Sequence, residues 1–174
     1  SATAGGTYGL YVSEPGTTGD GSVSTTGLAV YSINSNTPEY RLWDGGAFDP
    51  ETIVGTSTGL DIGNTPRVLT GAASPTRDEK IVVAMVAGND DVRGMIWNGA
   101  AWSYLPQPPA INTAGQLANV TDAARVLWSG AVAYEQLSGD AVMVWNNGTI
   151  LSAGLTFNVW NGSSWGTNTT IATP

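Results

Sequence analysis

Short apolar stretches alternate with glycine-rich polar stretches along the whole chain. Three of the apolar stretches are strong, at residues 28–31, 81–86 and 141–145. Each lies about 15–20 residues before a tryptophan, which is the spacing of strands joined as hairpins. Gly, Pro, Thr and Asn interrupt every window long enough to form a helix. The pattern therefore predicts an all-β protein of short strands joined by turns.

A six-residue phrase ends each of these regions. It reads Trp, then Asn or Asp, then Gly, two small residues and an aromatic residue, at 43–48, 97–102 and 160–165. Asn-Gly and Asp-Gly favour a two-residue type I′ turn, because both of its central positions need positive φ. The phrase therefore predicts three equivalent hairpins. Its structural residues are Trp43, Asp44, Gly45, Phe48, Trp97, Asn98, Gly99, Trp102, Trp160, Asn161, Gly162 and Trp165.

A two-residue turn on Asn98 and Gly99 would fix the pairing of the second hairpin. Trp97 is then expected opposite Ala100, with Trp102 as its diagonal neighbour across the two strands. The small residue opposite the indole leaves room for it. We therefore expect the tryptophans of the phrase to serve packing.

The hairpins carry apolar residues on both faces. The residue before each first tryptophan is Leu42, Ile96 or Val159, and side chains alternate between the two faces of a strand. Such a hairpin indicates a sheet that is covered on both faces. Trp128 and Trp145 lie outside the phrase, and they are the candidates for exposed platforms on which sugar rings stack.

The strands and hairpins together define an internal repeat. A further short strand precedes the apolar one in each copy, at residues 8–12, 67–72 and 125–131. Each unit is about 55–60 residues long, within the range of repeat architectures. We predict one domain over residues 1–174, built of three four-stranded antiparallel repeats at about 1–58, 59–114 and 115–174.

Four-stranded units at this spacing resemble the blades of β-propellers. The Trp-Asx-Gly-x-x-Trp hairpin is similar to that of the fucose-binding propeller lectins, in part of which family short two-bladed chains assemble into a six-bladed ring. The resemblance implies a sugar held by an Arg on the strand before the hairpin and a Glu after it. At the matching strands this chain has Val-Val-Ala at 82–84 and Val-Met-Val at 142–144. The resemblance therefore carries the scaffold without the sugar-clamping residues.

Three units are fewer than the four blades that a closed propeller usually needs. Copies from other chains completing a ring, a longer parent protein and a different fold are the alternatives. A β-sandwich accommodates a dozen short strands, and a β-trefoil has three four-stranded repeats. We therefore keep the sandwich, and then the trefoil, as alternatives to the propeller-like arrangement.

The amino-acid composition excludes several classes of catalytic site. The chain has no cysteine and no histidine, which excludes a thiol nucleophile and removes the commonest general base and transition-metal ligand. Asp44, Asp49 and Glu51 form an acidic group that turn chemistry explains, and Glu135 and Asp140 are the candidates for a glycosidase carboxylate pair. Nothing else builds an active site. We predict a non-enzymatic protein with no cofactor and no metal.

Charge and sequons indicate where the protein works. A net charge of −8 with six scattered basic residues argues against binding to nucleic acid or to an anionic membrane. No stretch is long and apolar enough for membrane insertion. The start at Ser1 is typical of a mature end or a fragment. Together with low lysine content and acidity, the sequons favour an extracellular or cell-surface glycoprotein. They begin at Asn119, Asn147, Asn161 and Asn168.

Gly-, Thr- and Asn-rich strand proteins with little lysine resemble the subunits of surface filaments, pili and S-layers, and adhesins. This resemblance implies a non-enzymatic structural subunit of an extracellular surface assembly: a pilus-like filament, an S-layer or an adhesin. Its partners would be copies of itself or other assembly subunits. The alternative is a lectin-like carbohydrate-binding module, completed by oligomerisation, whose partners would include glycans.

Overall fold

The computed structural model describes residues 8–13, 27–32, 36–55, 66–86, 91–106, 116–119, 130–146 and 155–171. These residues form three antiparallel sheets, and neither a helix nor any membrane-spanning helical segment occurs among them. Along the path β1 to β4, β5 to β8 and β10 to β13, neighbouring strands in each sheet follow one another in the chain. The prediction of an all-β chain of three antiparallel, propeller-blade-like repeats is confirmed.

Each sheet contains four strands in chain order, and the middle sheet has a fifth. The first sheet has β1 (Tyr8–Ser13), β2 (Gly27–Ser32), β3 (Glu39–Trp43) and β4 (Thr52–Ile53). The middle sheet has β5 (Pro66–Ala73), β6 (Lys80–Val86), β7 (Asp91–Trp97) and β8 (Trp102–Tyr104), with β9 (Gln116–Asn119) added. The third sheet has β10 (Gly130–Tyr134), β11 (Ala141–Asn146), β12 (Leu155–Trp160) and β13 (Thr169–Ile171).

Strand β9 departs from the simple repeat. It pairs with the start of β7, where Val92 faces Ala118, while β8 pairs with the end of β7, where Trp97 faces Trp102. β7 therefore has two short partners along one edge. The sequence places β9 at the beginning of the third repeat, but its hydrogen bonds join it to the middle sheet.

The middle sheet is covered on both faces. Every residue of β6 is buried, and the side chains alternate between two hydrophobic clusters. Val82, Ala84 and Val86 pack with Leu28 and Val30 of the first sheet. On the opposite face, the third sheet covers β6 with an equivalent set of side chains. That second cluster comprises Ile81, Val83, Val92, Ile96, Leu105, Ala141, Met143, Trp145 and Trp160.

The three sheets are stacked with one common direction. Trp97 pairs with Lys80, Trp160 with Ala141, and Trp43 with Gly27, so these tryptophans are equivalent. Trp97 packs towards the first sheet and Trp160 towards the middle sheet. Since Leu42 packs against the middle sheet, strand alternation turns the neighbouring Trp43 away from it. Trp97 and Trp160 therefore each face the sheet that precedes their own, and Trp43 lies on the corresponding outer face of the first sheet.

Candidate functional site

The three hairpins end in four-residue loops. In the second hairpin Trp97 lies directly opposite Trp102, with ring centroids 5.6 Å apart. Trp43 faces Phe48 across an isolated bridge, and Trp160 faces its partner in the same way. The prediction of a two-residue type I′ turn with diagonal tryptophans is therefore wrong. The small residues expected opposite each indole, such as Ala100, lie in the loop.

The Asx side chain explains the longer loop. Asn98 Oδ1 accepts hydrogen bonds from the backbone N–H groups of Ala100, at 3.1 Å, and Ala101, at 2.9 Å. Asp44 and Asn161 make the same pair of bonds in their own loops. The side-chain oxygen of the Asx residue thus accepts hydrogen bonds from two backbone N–H groups of the loop, an arrangement that a two-residue turn does not contain. The glycine after each Asx residue supplies a positive φ, for example 92° at Gly99.

Asp44 offers a pH test of this loop. Hydrogen bonds from the backbone N–H groups of Ala47 and Gly46 hold the pKa of its carboxyl below the usual range. The carboxylate's contribution to stability is therefore present above the unfolded pKa and is lost as pH falls through the lower folded pKa. We expect an NMR titration to show the depressed pKa. Asp44→Asn should keep the loop, as Asn98 does, and remove this part of the acid dependence; an unshifted pKa would contradict the assignment.

A cleft of about 390 Å³ opens between the first and middle sheets, at the end that carries the hairpin loops. This volume lies within the range of small-molecule sites. Apolar, acidic and basic residues all contribute to its walls. They are Gly27, Leu42, Trp43, Asp44, Asp49, Asp78, Lys80, Trp97 and Gly99.

One wall of the cleft combines an indole with an ammonium group. Lys80 and Trp97 are opposite each other in the β6–β7 register, so their side chains project from the same face of the middle sheet. Lys80 is only 3% exposed, and its Nζ lies 3.2 Å from Asp78 Oδ1. It is also the only lysine of the chain. Leu42 packs against the same cluster from the opposite sheet.

Three acidic residues line the cleft together with Lys80. Asp78 approaches the Gly99 loop so closely that a Cβ on Gly99 would lie 2.8 Å from Asp78 Cγ. Asp44 and Asp49 approach from the first sheet, where the Asp49 N–H donates to the Leu42 carbonyl at 2.8 Å. With three carboxylates and one ammonium, the cleft is rich in acceptors. It suits a ligand that carries several hydroxyl or amine donors beside an apolar surface.

The equivalent space between the middle and third sheets is filled by Arg77. Its Nη2 donates to the Gly139 carbonyl at 2.6 Å and lies 3.2 Å from Glu79 Oε1. The guanidinium also covers Gly162, the third-sheet equivalent of Gly99. Tyr134 donates to Glu79 at 2.7 Å, and burial, followed by this bond, raises the tyrosine pKa above its usual value. This arrangement joins the middle and third sheets.

The sequence matches no protein-family model and no curated protein. Among solved structures, the chain is similar to a variant of the Aleuria aurantia lectin in complex with Fucα1-6GlcNAc, at 11% sequence identity and a TM-score of 0.45. The match covers 97% of this chain and 49% of that chain, so this chain spans about half the length of the lectin. The likeness concerns the fold alone.

The two sugar-platform candidates have different outcomes. Trp145 is 3% exposed and belongs to the core between the middle and third sheets, so its expected role as an exposed platform is wrong. Its position on β11 turns it inwards beside Met143, two residues earlier. Trp128 lies outside the described residues.

The sequons are distributed between the described and undescribed parts of the chain. Asn161 and Asn168 lie on the surface, although Asn168 Oδ1 accepts a 2.5 Å hydrogen bond from Asn158. Asn119 lies in β9, and Asn147 is outside the described residues. Glycosylation at all four positions stays a prediction.

The acidic groups noted in the sequence separate in the structure. Glu51 bonds to Tyr31 at 2.5 Å, whereas Asp44 and Asp49 line the cleft. Glu135 caps its own turn by accepting the Ser138 N–H at 2.5 Å, and this bond comes first among the causes that lower its pKa. Across the described ranges, no group of three or more acidic side chains is arranged to hold a metal ion.

Sequence reasoning missed the residues that matter most in the cleft. No motif in the sequence marks Lys80 or Asp78 as a ligand-binding residue. The pairing of β6 with β7 is what brings Lys80 to the cleft, because a residue directly opposite Trp97 lies on the same face of the sheet. That pairing belongs to the register of β6 and β7, which the turn predicted between β7 and β8 does not determine.

Proposed function

We propose that the chain is a non-enzymatic carbohydrate-binding module whose ligand site is the cleft between the first and middle sheets. The observation that carries this proposal is the meeting of Trp97, Lys80 and Asp78 in one opening of about 390 Å³. A volume of this size accepts a mono- or disaccharide.

The chemistry of the walls fits a neutral sugar. Sugar hydroxyls donate hydrogen bonds to carboxylates such as Asp78 and Asp49, and they accept hydrogen bonds from the Lys80 ammonium group. Leu42 and Trp97 supply the apolar part of the lining, although Trp97 is too deeply buried to serve as a stacking platform. Lys80 and Asp78 are held 3.2 Å apart before any ligand arrives, so little ordering is needed on binding.

A matched pair of amide substitutions tests the site. We expect Asp78→Asn to weaken binding of the best ligand from a glycan array by at least about tenfold, because a charged acceptor in such a hydrogen bond contributes about 1.5–3 kcal/mol. Glu51→Gln should bind like the parent chain, since Glu51 bonds to Tyr31 outside the cleft. Isothermal titration calorimetry measures both affinities.

The single lysine gives a direct test of location. Reductive ¹³C-methylation labels Lys80 and the terminal amine, whose NMR signals differ. We expect the Lys80 signal to shift when the glycan binds. A chain that binds no glycan on the array, or a bound glycan that leaves both the Lys80 signal and the Asp78→Asn affinity unchanged, would overturn the proposal.

An extracellular or cell-surface location is part of this proposal, supported by the exposed sequon residues Asn161 and Asn168 and by the acidic, lysine-poor composition. The hypothesis of a structural subunit in a pilus-like filament, an S-layer or an adhesin stays a prediction. Among the described residues, the feature that bears on assembly is the pair of outer sheet faces.

A further inference from the structure

The stack of three sheets has two outer faces. Each outer face is equivalent, position by position, to a sheet face that is buried inside the chain. On the outward side of the third sheet, Val142 pairs with Val159, as Ile81 pairs with Ile96 in the middle sheet. The middle-sheet pair is buried under the third sheet, whereas the third-sheet pair is half-buried. We name this surface the forward face; it comprises Val142, Val144, Leu155, Phe157, Val159 and Ile171.

The first sheet presents the opposite kind of surface. Its Ala29–Arg41 pair is equivalent to Val82–Met95 in the middle sheet, and both residues of the latter pair are fully buried. We name this surface the rear face; it comprises Ala29, Tyr31, Arg41, Trp43 and Phe48. Its aromatic pair is only partly covered, since Phe48 is 45% exposed.

We propose that the forward face of one copy of this chain packs on the rear face of a second copy. Both covered interfaces within the chain join a forward-type face to a rear-type, tryptophan-bearing face. A second copy of the chain can offer its rear face to the forward face of the first copy, which reproduces the combination found inside the chain. Head-to-tail contact of this kind is heterologous, so it gives either a closed ring or an open fibre.

The composition of the forward face favours its burial in an interface from which water is excluded. Its side chains are mostly apolar, with Thr169 opposite Phe157 as a polar member, and it includes Leu155 at 47% and Ile171 at 51% exposure. These two residues are neighbours across β12 and β13 and extend the apolar surface to the sheet edge. Large exposed apolar residues gathered on one face are typical of interaction surfaces.

Two of the polar groups on the rear face, those of Arg41 and Tyr31, are already paired with each other. Arg41 Nε donates to the Tyr31 hydroxyl at 3.2 Å, and that hydroxyl donates to Glu51 at 2.5 Å. Covering these groups would not leave an unpaired charge, which is the main cost of burying polar surface. Beside them, Glu39 Oε2 is enclosed with no hydrogen-bond partner among the described residues, so a docked surface can supply one.

Single cysteines test the direction of contact, because the chain has none of its own. Val144→Cys places a thiol on the forward face and Ala29→Cys places one on the rear face. When the two variants are mixed and oxidised, we expect the mixed disulfide dimer to exceed either symmetric dimer by at least about tenfold, the bias of an interface that favours one geometry by 1.4 kcal/mol. Leu137→Cys, at a position 89% exposed on a turn, is the control and should show no preference.

The molecular mass of the particle in solution, measured as a function of concentration, gives the second test. The parent chain should associate as concentration rises, and Val144→Lys should weaken association by at least about tenfold, because it buries a charge without a partner. A chain that stays monomeric at every concentration, or symmetric Val144→Cys dimers that match the mixed ones, would overturn the inference. Glycan binding by Val144→Lys should match the parent chain, since the cleft lies between the other two sheets, so the two proposals can fail separately.

Discussion

Replacing Trp97 with alanine is expected to lower the free energy of unfolding by about 3–5 kcal/mol, the cost of emptying a large aromatic site in a core. The indole is 6% exposed, and its ring centroid lies 5.6 Å from that of Trp102 and 5.7 Å from that of Tyr40 in the first sheet. The cavity would therefore open between two sheets. Urea unfolding followed by circular dichroism measures the change.

The chain contains its own control for this experiment. Trp43 is equivalent to Trp97 in the repeat, but it is half-buried and faces away from the middle sheet. At dilutions where the chain is monomeric, we expect Trp43→Ala to cost only about 1 kcal/mol, a common value for a partly exposed site. Equal losses for the two variants would contradict the common direction of the stack.

Gly162→Ala is expected to cost about 3 kcal/mol, the sum of a strained left-handed residue and a weakened charged hydrogen bond. Gly162 has φ 93°, and an added Cβ would lie 2.8 Å from Arg77 Cζ. Arg77 cannot withdraw freely, because the Gly139 carbonyl holds it at 2.6 Å. Thermal or urea unfolding provides the measurement.

Two further variants separate the causes. Gly46→Ala should change stability by less than about 0.5 kcal/mol, since its nearest atom, Asp44 Oδ1, would be at an ordinary 3.6 Å. In an Arg77→Ala background, Gly162→Ala should cost less than it does alone, because the clash is gone and only the strain remains. Full additivity of the two substitutions would show that the Arg77 contact does not matter.

The repeat and its two-sided packing could be predicted from the sequence because both depend on local pattern. Leu42, Ile96 and Val159 each stand beside a tryptophan, so alternation alone places apolar residues on both faces of every hairpin. In the middle sheet, both faces are indeed covered. This alternation of side chains does not depend on the conformation of the loops.

The hairpin register and the cleft depend on features that pattern does not record. Asn98 favours positive φ in a two-residue turn, yet its side chain can also hold two donors of a longer loop, and the second option prevails here. Arg77 and Asp78 are neighbours in one turn, but one bridges to the third sheet while the other lines the cleft. Only the three-dimensional positions of the turns distinguish those roles.

The common direction of the stack bears on how such a chain can change length during evolution. Any unit that begins with a tryptophan-bearing face and ends with an apolar one fits between two others, so duplicating a whole unit in the gene creates no new type of junction. Val144 and Trp43 mark the ends where additional units would join. Deletions or insertions of a fraction of a unit would instead misalign every later sheet.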